Sequence, residues 1–398
     1  MPILAAALVA ALSPPPDCTR NLCGTEALAP FFSKLSERPR QPVHILQLGD
    51  SHTAGDTITQ PLREAFQRRY GDGGRGVLPP GRPYPGFLSW QVTAAQDGPW
   101  SANASFGPDY SGAGGRPVGL SGYTQTVSAF GARLTVSADD PQHRFDTLIV
   151  CALREPGAGN VRLAIGDREE MWHLASPERR AECRRLEASG PGAAATVTNA
   201  DHRPVSITSL AVLQRGPGAL VSNLGVSGSQ LIHLLRLNER VVGAELDAYR
   251  PDLLILAFGT NEGFSPGFDP RRYEADLRAG IARLRRLSGE DVPILLLGPP
   301  DAAARGGNGS ACGNGAFVPA PLGRVRDIQF AVARDLGLAF WDWAAAMGGT
   351  CASARWAARG LMRGDLVHFT RAGGEAIGRA LVADLTDAAA AARQALRP

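Results

Sequence analysis

Three short runs of nearly unbroken apolar residues constrain this chain most: Val43–Leu48 (VHILQL), Asp252–Phe258 (DLLILAF) and Val292–Leu297 (VPILLL). A strand with one wet face alternates apolar and polar residues, whereas a continuous apolar strand is buried on both faces. The stretches between and after these runs have helical spacing. Ile58, Leu62, Ala65 and Phe66 fall on one face, and Leu231–Tyr249, Arg271–Leu287, Leu322–Leu336 and the tail from Arg371 continue the pattern. Ala339–Trp341 reads as one more short strand. Buried strands alternating with helices predict an α/β fold, a parallel sheet covered on both faces.

The alternation is interrupted. Gly71–Gly86 (GDGGRGVLPPGRPYPG) is dense in glycine and proline and reads as loop. From about 87 to 220 the runs are short and β-rich: FDTLIVCAL, NVRLAIGD, AATVTNA and PVSITSLAVLQ. A short helix is expected near Pro177–Ala188. The predicted organisation is therefore one discontinuous α/β unit, 41–82 and 221–398, with an all-β sandwich at 83–220 inserted into it.

Composition excludes several classes. The chain has 398 residues, 44% hydrophobic and 20% charged, which fits a folded protein with a large core. The net charge of +3 is carried by arginine, Lys34 being the one lysine, and no basic run interleaves with aromatics. Nucleic-acid binding is not expected. Ile3–Leu12 followed by three prolines resembles a signal-peptide core, too short to span a bilayer, so 1–16 is assigned as a signal peptide and the protein as periplasmic or secreted. Six cysteines fit an oxidising compartment. The expected bridges are Cys18–Cys23, Cys151–Cys183 and Cys312–Cys351. No Cys-x-x-Cys spacing or histidine cluster suggests a metal, and no cofactor is implied.

The candidate chemistry begins at Gly49-Asp-Ser51, which follows a buried strand and opens a helix, in LGDSHTAGD. Open α/β sheets bind ligands at such strand ends, and a helix N-terminus favours developing negative charge. A serine nucleophile needs a base and an orienter. Asp365-Leu-Val-His368 lies between the last strand and the last helix, where a loop can carry both. Asp140-Pro-Gln-His143 and Glu170-Met-Trp-His173 have the same spacing but sit in the β-rich region. Two further loops offer oxyanion donors: Asn223–Ser229 (NLGVSGS), which holds Gly225 and Gly228, and Gly259-Thr-Asn-Glu262, which holds Asn261.

Ser51, Gly228, Asn261 and the Asp365/His368 pair occur in the order of the four blocks of the SGNH, or GDSL-type, hydrolases, and the chain resembles that family over about 43–70 and 221–390. The resemblance implies a flavodoxin-like three-layer sandwich. It also implies Ser51 as nucleophile, His368 as base, Asp365 as orienter, and an oxyanion hole from the Ser51 and Gly228 N–H groups and the Asn261 side chain. GDSHTAGD, the GDGGRG loop, GTNE and DLVHFT further resemble bacterial peptidoglycan O-acetylesterases, which carry an inserted carbohydrate-binding-like β-sandwich. That likeness implies removal of acetyl groups from C6 of N-acetylmuramic acid, with an acetylated glycan as partner. The alternatives are an acetylesterase or acetyltransferase acting on another polysaccharide, and a carbohydrate-binding protein with an inactive esterase domain. Tyr84, Trp90, Trp100 and Tyr110 are the aromatics expected to meet sugar rings.

Overall fold

The computed structural model describes residues 18–37, 40–112, 114–289 and 291–395. The signal-peptide assignment, 1–16, lies outside them. No helix among the described residues is long and apolar enough to cross a membrane.

Val43–Gly49 is the central strand of a parallel sheet. Ala219–Gly225 lies on one side of it; Leu253–Ala257, Ile294–Leu297 and Ala339–Trp341 follow on the other. Numbered along the chain, these five strands run 2-1-3-4-5, the flavodoxin-like order. The apolar runs divide by parity. Leu46, Leu48, Leu254 and Leu256 pack under the helices Glu239–Tyr249, Pro270–Ser288 and Ala320–Asp335. Val43, Ile45, Leu253 and Ile255 pack under Ala29–Glu37, Thr59–Tyr70 and Arg371–Ala395. This is why the runs show no alternation: both faces are covered. At the far edge a hairpin closed by Cys18–Cys23 adds Leu22–Cys23 antiparallel to Ala339–Trp341.

Between the first strand–helix unit and Ala219 the chain forms two antiparallel sheets. One joins Arg168–His173, Asn160–Ile165, Ala194–Asn199, Arg133–Ala138 and Val92–Asp97. The other joins Arg180–Gly192, Phe145–Arg154, Val205–Leu213, Tyr123–Val127 and Ser101–Ala104, with Gly76–Leu78 beside Val205–Leu213. They share one apolar cluster, with Leu134, Val161 and Val197 from the first sheet and Val150, Ile207 and Leu210 from the second. The opposite face of the second sheet presents Ile149, Cys151 and Ala211 to Val242, Leu246 and Tyr249. There the buried Glu245 carboxyl accepts from the Leu120 N–H and from the Thr208 and Ser209 hydroxyls, which fastens the antiparallel strands to the α/β part.

Several expectations need correction. Pro177–Ala188 is not helical: Arg180–Gly192 is a strand paired with Phe145–Arg154, with Cys183 opposite Cys151 and bridged to it. Its own alternation gives the reason, since Leu186 and Ala188 point inward while Arg185 and Glu187 face out and pair with each other. The helix expected over Leu231–Tyr249 breaks into a 3-10 turn, Leu231–Arg236, and a helix from Glu239, because the Asn238 side chain caps Arg240 and Val241 N–H. Gly71–Gly86 contains the strand Gly76–Leu78. Ala219–Gly225, two of whose polar residues are Ser222 and Asn223, had no apolar run to announce it. Those side chains are buried because they have partners: Ser222 meets His44 and the Val77 N–H, and Asn223 meets Arg75 and the Thr53 carbonyl.

Candidate active site

Ser51 opens the turn of helix Ser51–Ala54 directly after the central strand. Asp50 caps that turn, its Oδ1 accepting the His52 N–H at 2.9 Å. Ser51 Oγ lies 3.0 Å from His368 Nε2, and His368 Nδ1 lies 2.9 Å from Asp365 Oδ2. The other Asp365 oxygen accepts the N–H groups of Val367 and His368, both at 2.9 Å. Its modest burial acts upward on the Asp365 carboxyl; these N–H donors and the His368 ring outweigh that and hold it below the usual carboxylate range. The tight loop requires Leu366 at φ +61°, a conformation that costs about 1–3 kcal/mol in a residue of this kind. Burial of its side chain beside Ala303 and Ala316, next to the Cys312–Cys351 bridge, holds it there.

The two glycine candidates differ in what their missing side chains permit. A Cβ on Gly225 would come within 2.1 Å of the Ala54 nitrogen, so this glycine lets the strand pass the Ser51–Ala54 helix. Gly228 has φ +79° and lies in the turn closed by Ser229 N–H to the Val226 carbonyl. Asn261, four residues beyond the strand Leu253–Ala257, donates from Nδ2 to the Ser229 carbonyl at 2.8 Å. One amide hydrogen is thus fixed on the Gly228 turn, and the geminal one points elsewhere.

A cleft of about 390 Å³ opens over Ser51 and His368, with Ser227, Arg363, Tyr84 and Leu88 among its walls. Tyr84 and Leu88 come from the segment leading into the antiparallel sheets. Leu88 is 57% exposed. Of the other aromatics singled out, Trp90 lies under the Arg371 guanidinium, Trp100 packs against the antiparallel core, and Tyr110 lies under Arg236. None of these three lines the cleft.

The competing Asp/Glu-x-x-His motifs are elsewhere. Asp140 caps a 3-10 turn, and His173 bonds to Asn160. A larger cavity, about 840 Å³, lies at the opposite strand ends. Its histidine, His44, is spent on the Tyr249 carbonyl and the Ser222 hydroxyl, and burial draws it down to about 4. Among the described residues no group of three His, Cys, Asp or Glu side chains is placed to hold a metal.

Sequence reasoning missed the charged cluster that begins five residues after Ser51. Asp56 is fully buried and meets Arg63 at 2.7 and 3.2 Å and Arg75 at 3.2 Å. Its Oδ2 also accepts the Trp90 N–H, and Arg75 reaches the Trp90 carbonyl and Asn223. Asp56 ends the GDSHTAGD motif and Arg75 belongs to the GDGGRG loop. Both motifs were visible, but nothing local says that they meet.

The GDSL-like Lipase/Acylhydrolase family model matches residues 188–376, a span that includes Gly228, Asn261, Asp365 and His368. A solved peptidoglycan O-acetylesterase is 25% identical, covers 91% of this chain and 96% of its own, and superposes with a TM-score of 0.74. An acetyl xylan esterase is 18% identical over 42% of this chain and 79% of its own, TM-score 0.32. A family two carbohydrate esterase from Cellvibrio japonicus is 13% identical over 75% and 98%, TM-score 0.30. No curated protein matches. The flavodoxin-like sheet, the matched family model and the similarity along nearly the whole chain agree: this chain carries an SGNH, or GDSL-type, hydrolase domain and is a carboxylic ester hydrolase.

Proposed function

We propose that the protein removes O-acetyl groups from peptidoglycan, at C6 of N-acetylmuramic acid, through an acetyl-enzyme on Ser51. The observation that carries this reading is the chain of hydrogen bonds from Ser51 through His368 to Asp365 at the sheet edge, 3.0 and 2.9 Å long. Ser51 Oγ attacks the acetyl carbonyl while His368 Nε2 takes its proton. Asp365 keeps the ring's other nitrogen protonated and faces the imidazolium that forms. The tetrahedral oxyanion is received by the Ser51 and Gly228 N–H groups and the Asn261 amide. His368 returns the proton to the departing sugar oxygen, and water then repeats the sequence on the acetyl-serine. The long superposition on a peptidoglycan O-acetylesterase supports the glycan, and three disulfides support a periplasmic or secreted location. The test is acetate release from O-acetylated peptidoglycan beside acetylated xylan. Faster release from xylan would overturn the substrate.

Asn261→Ala is expected to lower kcat by about 10²–10³-fold, the usual cost of one oxyanion donor. KM should change little, because the bond tightens only as charge develops. Steady-state kinetics on a soluble acetate ester check this, and a pure KM effect would place Asn261 in ground-state binding.

We read the antiparallel region as an inserted carbohydrate-binding-like module that contributes one wall of the cleft. Tyr84→Ala should leave hydrolysis of 4-nitrophenyl acetate within about twofold and lower acetate release from polymeric peptidoglycan by about tenfold, the loss of one stacked aromatic contact. The ratio of the two rates is the measurement. Equal losses on both substrates would make Tyr84 a structural residue.

A further inference from the structure

His52 follows Ser51 and has no part in the mechanism above, yet it lies against His368 and the loop that carries it. Its side chain is almost wholly buried, 4% exposed. Nε2 lies 3.0 Å from the Val367 carbonyl, inside the Asp365–His368 loop, and Nδ1 lies 3.2 Å from Asp50 Oδ1. The ring stacks on His368 at 5.5 Å between centroids, and Trp343 and Phe369 close its sides edge-on.

A carbonyl oxygen only accepts, so Nε2 must carry a hydrogen. Asp50 Oδ1 already accepts the His52 backbone N–H, and a carboxylate also only accepts, so Nδ1 needs a hydrogen too. A ring with both is an imidazolium. The neutral ring would set an Nδ1 lone pair against the carboxylate, with only the Thr260 hydroxyl, 3.5 Å away, to turn to.

We infer that His52 is a positioning residue that works as a buried cation, clamping the loop of the base to the helix of the nucleophile. Resting on the assignment of Ser51 and His368 above, the inference gives His52 control of their alignment. Val367 is held on two sides, its N–H by Asp365 and its carbonyl by His52. His368 is the next residue, so its reach to Ser51 follows that peptide. The charged and titratable groups around the ring are Asp50 on its own turn, His368 and Asp365 on the clamped loop, and Glu262 on the turn that carries Thr260. Burial pulls the ring's proton affinity down. Asp50, the Val367 carbonyl and Asp365 outweigh it and hold His52 above the ordinary histidine range. The clamp is therefore complete at lower pH and opens as pH rises through that raised value. Activity should therefore show an alkaline limb, because the clamp that aligns the base with Ser51 holds only while His52 is charged.

Two measurements test this. In ¹⁵N NMR of the whole protein, both His52 ring nitrogens should show protonated shifts at pH 7, and one should change as pH rises. This titration should also appear in Ser51→Ala, so it stands or falls independently of the esterase assignment. In kinetics on 4-nitrophenyl acetate, the alkaline limb of wild-type kcat should follow that titration. His52→Leu should lose about 10²-fold in kcat, the effect expected of a misplaced base, with KM within about twofold. His52→Gln, whose amide can still donate to the Val367 carbonyl, should recover part of the loss and lack the alkaline limb. A His52 ring that is neutral from pH 5 to 7 overturns the proposal even if neither variant folds. So does a His52→Gln enzyme that keeps the wild-type alkaline limb.

Discussion

Ser51→Ala is expected to lower kcat for acetate-ester hydrolysis by about 10⁴–10⁶-fold, leaving only what the oxyanion donors and binding provide. The fold should persist, because the Ser51 hydroxyl bonds to His368 at a partly open cleft and supports no core contact. His368→Ala should cost about as much, since the serine then keeps its proton. Asp365→Asn should cost less, because in the proposed mechanism Asp365 orients the ring and handles no proton. Single-turnover acetate release decides the matter: a Ser51→Ala protein with near-wild-type turnover would remove Ser51 from the mechanism.

The second large effect should appear in stability. Asp56→Asn leaves the Arg63 and Arg75 guanidiniums buried without their carboxylate, and removing one partner of such a cluster costs about 3–5 kcal/mol. The cluster is demanding already. Burial and the neighbouring Arg63 pull Arg75 down to about 9 despite Asp56 beside it. Burial would push the Asp56 carboxyl up, but the two guanidiniums outweigh it and hold it below its ordinary range. A depressed carboxyl stabilises the fold above its unfolded value, near 3.9, and this contribution fades as pH falls through the folded one. Urea unfolding at pH 7 and at pH 3 checks both statements. A loss under about 1 kcal/mol at pH 7 would show that the cluster is not under this strain. Because Asp56 and Arg75 also hold the Trp90 backbone, the variant should loosen the Tyr84–Leu88 wall of the cleft.

Much of the parallel sheet was legible because burial on both faces writes itself as an unbroken apolar run. VHILQL, DLLILAF and VPILLL announce strands at 43, 253 and 294, and all three disulfide pairs form between the cysteines nearest in sequence. Arg180–Gly192 was misread because RRAECRRLEA has helix-forming residues, and its period-2 burial is decided by the partner strand Phe145–Arg154. Ala219–Gly225 was missed because Ser222 and Asn223 look like loop residues until His44 and Arg75 arrive from elsewhere in the chain.

The candidate site divides in the same way. Residue type and order single out Ser51, Asn261 and the Asp365/His368 pair as candidates, because strand ends and loops are local properties. The preference for Gly228 over Gly225 rests on the spacing of the family that the chain resembles; the structure adds a steric observation, the Ala54 backbone against a Cβ at Gly225. Only the tertiary structure placed Val367 against His52, Asp56 between two arginines and Tyr84 in one cleft with Arg363. Hydrophobic periodicity is a property of each segment and can be read from it. A buried charge is tolerated only where its counter-charge arrives from a distant part of the chain, and no local pattern records which residue that will be.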